Sequence, residues 1–95
     1  MRNMPDRPAI PVHRNVALSR FEATVEGELA VLDYVIRGDV MDITHTGVPV
    51  PLRGRGIAAA LTEAAIGFAR EHELSFNPTC SYAAAYLARS KGKRA

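Results

Sequence analysis

Ninety-five residues make one domain, with a core large enough to fold alone and no room for a second lobe. Hydrophobic residues at 47% and charged residues at 23% describe an ordinary globular protein, and a net charge of +2 is too small to mark a nucleic-acid binder. No apolar run approaches the roughly 18 residues of a membrane span, and a lone cysteine, Cys80, excludes an internal disulfide.

Residues 1–14 contain Pro5, Pro8 and Pro11 and are expected to form a flexible or extended arm. They lack the apolar stretch of a secretory signal, and with the single cysteine this makes a cytoplasmic location the expectation. From Arg20 the pattern alternates, with Phe21, Ala23 and Val25 on one face and Glu22, Thr24 and Glu26 on the other. Glu26-Gly27 reads as a turn, after which Ala30, Leu32, Tyr34 and Ile36 line one face of a second strand. A turn at Arg37-Gly38-Asp39 leads into a third strand from Val40 to about Val48. Such short turns imply an antiparallel meander, since parallel neighbours need a long crossover. Glu22, Asp33 and Asp42 are expected as solvated charges on these strands.

Beyond Pro51 the period becomes helical. Ile57, Leu61, Ala65 and Phe68 form one apolar stripe, predicting a helix from Ile57 to about His72. Gly67 within it costs about 1 kcal/mol against alanine, an expense that close packing on the sheet would explain. Leu74 to Asn77 reads as a short strand ended by Pro78, and Ala83 to Arg89 is rich in helix formers. The order β-β-β-α-β-α defines an α+β fold, an antiparallel or mixed sheet with helices packed on it. The domain is expected to span 15–90 and to end in a basic tail, 91–95.

The segment richest in chemistry is Arg53-Gly54-Arg55-Gly56-Ile57-Ala58. Two glycines allow a tight turn, the helix start directs unpaired amides at one spot, and two arginines add charge, so the loop reads as a cradle for a phosphorylated anion. A Walker A loop is excluded because Gly-Lys-Ser/Thr is missing. Gly54-x-Gly56-x-x-Ala59 fits the dinucleotide fingerprint. However, Val48-Pro49-Val50-Pro51-Leu52 before it cannot be a central parallel strand, because proline donates nothing to the ladder.

A third pattern, Arg/Gln-x-x-Gly-x-Gly/Ala, is matched at every defined position. Together with His45-Thr46-x-Val48-Pro49 and Cys80-Ser81-Tyr82, it resembles the GNAT N-acetyltransferase superfamily, in particular its minimal single-domain, YjdJ-type members. The resemblance covers roughly residues 15–90. This chain departs from the pattern at Gly47, where members often carry an acidic residue, and at Ser75-Phe76-Asn77, where they have an aliphatic run. It also lacks the family's His-Pro-containing ending.

The resemblance implies an enzyme that binds acetyl-CoA and transfers acetyl to an amine, either a small amine or a flexible lysine-containing acceptor. It implies that CoA pyrophosphate rests on the amides of Gly54, Arg55, Gly56, Ile57 and Ala58, with the side chains of Arg53 and Arg55 nearby. The pantetheine arm would run along Thr46, Val48 and Val50, and the thioester would enter a splayed gap between this strand and the one after the helix. A non-catalytic acyl-CoA-binding or sensing module is the alternative.

Three residues are candidates for the chemistry. Cys80 is either a nucleophile, activated at a helix start to carry acetyl, or a small buried apolar residue. His45 alternates with Ile43 and Met41 and is either a neutral base for an incoming ammonium or a histidine satisfied within the sheet. Tyr82 is placed by the resemblance as a proton donor to the leaving thiolate, with Tyr86 one turn on as its competitor; packing is the other reading of both. His13 and His72 lack partners at metal-ligand spacing, so no metal site is expected.

Overall fold

The computed structural model describes residues 10–79, 84–86 and 88. Five strands form one sheet: β1 (His13–Asn15), β2 (Arg20–Val25), β3 (Glu28–Arg37), β4 (Val40–Gly47) and β5 (Ser75–Pro78), in the spatial order β1-β2-β3-β4-β5. The first four are antiparallel, as short turns require. Helix α1 (Ile57–Glu71) lies between β4 and β5 in sequence and carries the chain back, so β5 runs parallel to β4. The fold is α+β with a mixed sheet, and residues 84–86 and 88 are also helical.

Alternation builds the sheet's inner face. Phe21 and Ala23 of β2, Ala30, Leu32 and Tyr34 of β3, and Met41 and Ile43 of β4 are buried against Ile57, Leu61, Ala65 and Ala69 of α1. Phe68 is half-buried and packs edge-on to Phe21, with ring centroids 6.0 Å apart. Leu52 and Leu61 are fully buried, and removing a side chain of this kind costs about 2–5 kcal/mol.

The structure corrects the sequence reading at several points. His13 and Arg14, assigned to the arm, are strand residues paired with Glu22 and Phe21. Arg14 stacks over the Phe68 ring at 4.4 Å, so β1 is fastened to α1 as well as to β2. Gly67 makes no close approach to the sheet, since a Cβ there would meet nothing within 4 Å. Glu22 and Asp42 are only 9% and 7% exposed rather than solvated. Glu22 accepts from Asn15 at 3.1 Å and pairs with His13 at 3.2 Å, while Asp42 accepts from Asn77 at 2.5 Å and pairs with Arg37 at 3.5 Å. These partners offset the desolvation that burying a carboxylate brings.

One irregularity sets up the site. Asp33 pairs with His45 but Tyr34 pairs with Ile43, so Thr44 is an extra residue in β4. This bulge reverses the alternation beyond it. His45 therefore leaves the face of Met41 and Ile43, where strict alternation placed it, and shares the outer face with Asp33. Thr46, opposite the buried Leu32, comes onto the inner face instead.

Candidate functional site

The end of β4, the glycine loop and the first turn of α1 enclose a cavity of about 580 Å³. Pro49 leaves β4 in an extended conformation, and Val50–Leu52 form a single 3-10 turn closed by Leu52 N–H to Pro49 O at 2.9 Å. Leu52 plugs the core, which fixes where the loop starts. Arg53 then turns back, its Nε donating to Val48 O at 3.0 Å, and ties the loop to the strand end. Gly54 and Gly56 follow with φ of 84° and 81°, left-handed values that side chains resist.

Gly56 is the N-cap of α1. The first helical hydrogen bond runs from Ala60 N–H to Gly56 O at 3.0 Å, so the amides of Ile57, Ala58 and Ala59 precede the helical ladder. No side chain caps them and no acidic residue occupies the first turn. The positive end of the helix dipole thus faces the cavity without a carboxylate to neutralise it. These groups suit a phosphate.

Beside the loop, pairing of β5 with β4 stops at Ile43↔Pro78, where proline has no N–H to extend the ladder, while β4 runs on to Gly47. Asn77 donates to Asp42 beside the end of this pairing.

Most residues singled out from sequence come together here. His45, Thr46, Val48, Arg53, Gly54, Gly56, Ile57 and Ala58 all line the cavity. Val50 does not; it lies on the 3-10 turn and is 70% exposed. Arg55 does not either, because its Nη1 donates to Glu26 Oε2 at 2.9 Å, across from the β2–β3 turn. That bond, reinforced by charge, holds the Glu26 carboxyl below the usual carboxylate range and raises Arg55 above its ordinary value. Tyr86 donates its hydroxyl to Glu63 of α1. Cys80 and Tyr82 lie outside the described residues.

Leu52, Gly47 and Ala59 also line the cavity. Ala59 was within reach of the motif, as the next position of the helix start. Gly47 is revealed only by space: a Cβ there would stand 3.0 Å from His45 Nε2, so the imidazole lies along the strand over a residue without a side chain. Among the described residues no group of His, Cys, Asp or Glu could hold a metal ion, and no helix is long and apolar enough to cross a membrane.

A meander, a bulged strand leading through a glycine loop into a helix, and a short parallel strand after the helix make an acetyltransferase-type fold. The family described as GCN5-related N-acetyl-transferase matches residues 20–94, and the chain belongs to it. Among curated relatives, Protein NATD1 of Xenopus tropicalis is 35% identical over 88 residues, covering 90% of this chain and 81% of that protein. Protein NATD1 of Gallus gallus and of Homo sapiens are each 44% identical over 59 residues, 61% of this chain and 54% and 52% of theirs. The match therefore spans about half the length of those two relatives.

Proposed function

We propose that this domain binds acetyl-CoA and transfers its acetyl group to an amine, a small one or a flexible lysine side chain. The carrying observation is the cavity that joins the end of β4 to the uncapped amides of α1. In this reading the amides of Gly56, Ile57, Ala58 and Ala59 bind the pyrophosphate, and Arg53, already fixed to Val48, adds charge beside it. The pantetheine arm follows β4 at Thr46 and Val48, and the thioester reaches the end of the β4–β5 pairing. A cytoplasmic setting is proposed with it.

The chemistry asks three things of the protein. An incoming ammonium must lose a proton, and His45, which is exposed and lines the cavity, is the base proposed for it. The amine nitrogen then bonds to the acetyl carbon as the carbon–sulfur bond breaks, the departing thiolate takes a proton from Tyr82, and the proton that the new amide nitrogen sheds restores the Tyr82 hydroxyl. Cys80, two residues past the last pair of β4 and β5, is the third proposed participant. Its thiolate would accept the acetyl group from sulfur to sulfur and pass it to the amine.

The test combines calorimetric titration with acetyl-CoA and incubation with isotopically labelled acetyl-CoA, followed by intact-mass analysis and an amine panel. Saturable binding with labelled product supports the reading. Binding with no turnover on any amine favours a sensing module, and absence of binding ends the proposal. Loss of turnover in Cys80→Ala, with acetyl-Cys80 seen in the wild type, supports the two-step route; retained turnover assigns direct attack.

A further inference from the structure

Arg55 belongs to the phosphate loop by sequence, yet it is drawn aside from the cavity that the rest of the loop borders. Its partner Glu26 stands 29 residues away in sequence, at the tip of the β2–β3 hairpin. There Val25 pairs with Glu28, leaving a two-residue loop of Glu26-Gly27. Both have positive φ, 53° and 80°, the sense of a type I′ turn.

Such a turn favours Asn, Asp or Gly at its first position, and a glutamate there holds a backbone conformation that its side chain resists. The turn gains nothing from glutamate. What glutamate adds is reach, and that reach ends on Arg55. A backbone outlier tied to a ligand-facing loop points to a role beyond the turn. Both side chains are substantially exposed, 46% for Arg55 and 65% for Glu26, so no packing obstructs an exchange of partners. An exposed pair of this kind is weak, whereas a phosphate offers the guanidinium a stronger, bidentate acceptor.

We infer that Glu26 is a specificity-determining residue of the phosphate loop: it withholds Arg55 from the cavity, and only a ligand with enough phosphate charge recruits the arginine from it. The inference rests on the CoA reading of the site. Glu26 is a positioning residue, since it acts through Arg55 and touches no ligand. A ligand without phosphate leaves the pair intact and gains nothing from Arg55.

The test is a double-mutant cycle read by calorimetry with CoA, using wild type, Glu26→Gln, Arg55→Gln and the double variant. Glu26→Gln is expected to tighten CoA binding about two- to five-fold, the span of an exposed ion pair. Arg55→Gln is expected to weaken it, and Glu26→Gln to have no effect once Arg55 is gone. Unchanged or weaker binding by Glu26→Gln overturns the inference. So does tightening that persists in the Arg55→Gln background, which would be a general field effect. If all four proteins bind CoA equally, this inference alone falls. If none binds, the CoA reading falls and takes it along.

Discussion

Replacing Ala58 by proline removes one amide from the proposed cradle while leaving the helix that carries it. Ala58 is the second residue of α1 and lines the cavity. Its N–H precedes the first helical hydrogen bond, Ala60 N–H to Gly56 O, so the helix does not use it. Proline is tolerated in the first turn for that reason. A hydrogen bond to a charged group is worth about 1.5–3 kcal/mol, so Ala58→Pro should weaken CoA binding by about 10- to 150-fold. Calorimetry measures the affinity and circular dichroism melting checks the fold, with only a modest loss expected, because the residue before proline resists the helical conformation. Ala58→Val is the control: it adds comparable bulk, keeps the N–H, and should weaken binding no more than a few-fold. If valine and proline weaken CoA equally, bulk and not the amide is responsible. If proline binds like wild type, the phosphate does not rest on this helix start.

Gly67→Ala should stabilise the protein by about 0.5–1 kcal/mol, because it raises helix propensity at a site where a Cβ meets nothing within 4 Å; urea unfolding measures it. Gly54→Ala should destabilise by about 1–2 kcal/mol from backbone strain alone, since φ is 84° and the added Cβ meets no neighbour; the same unfolding series tests it. Gly47→Ala should lower the rate of acetyl transfer, because its Cβ would stand 3.0 Å from His45 Nε2 and displace the imidazole; steady-state kinetics with acetyl-CoA measures it. Glu26 has a depressed folded-state pKa, so its contribution to stability is full above the unfolded pKa and is lost as pH falls through the folded one. The melting temperature should therefore fall less steeply for Glu26→Gln than for wild type between about pH 5 and pH 3.

The inner faces of β2 and β3 and the stripe of α1 were legible because period 2 and period 3.6 are local signals. The glycine loop was legible for the same reason, since its residues are contiguous and its chemistry is carried by backbone. The bulge at Thr44 was not: no local residue marks it, and strict alternation assigned His45 to the wrong face. The burial of Glu22 and Asp42 was hidden because their partners come from neighbouring strands, Asn15 and His13 for one, Asn77 and Arg37 for the other. Arg55 looked like a ligand residue because Glu26, 29 positions away, leaves no trace in the motif. β1 escaped notice because three residues are too few to show a period.

CoA is proposed to bind across the glycine loop and the end of β4. Titrating acetyl-CoA into isotopically labelled protein and following backbone amide resonances tests it residue by residue. Saturable shifts are expected, largest at Gly54, Gly56, Ile57, Ala58 and Ala59 and continuing through Thr46, Gly47 and Val48. Shifts that do not saturate, or that saturate elsewhere and spare the start of α1, would contradict it.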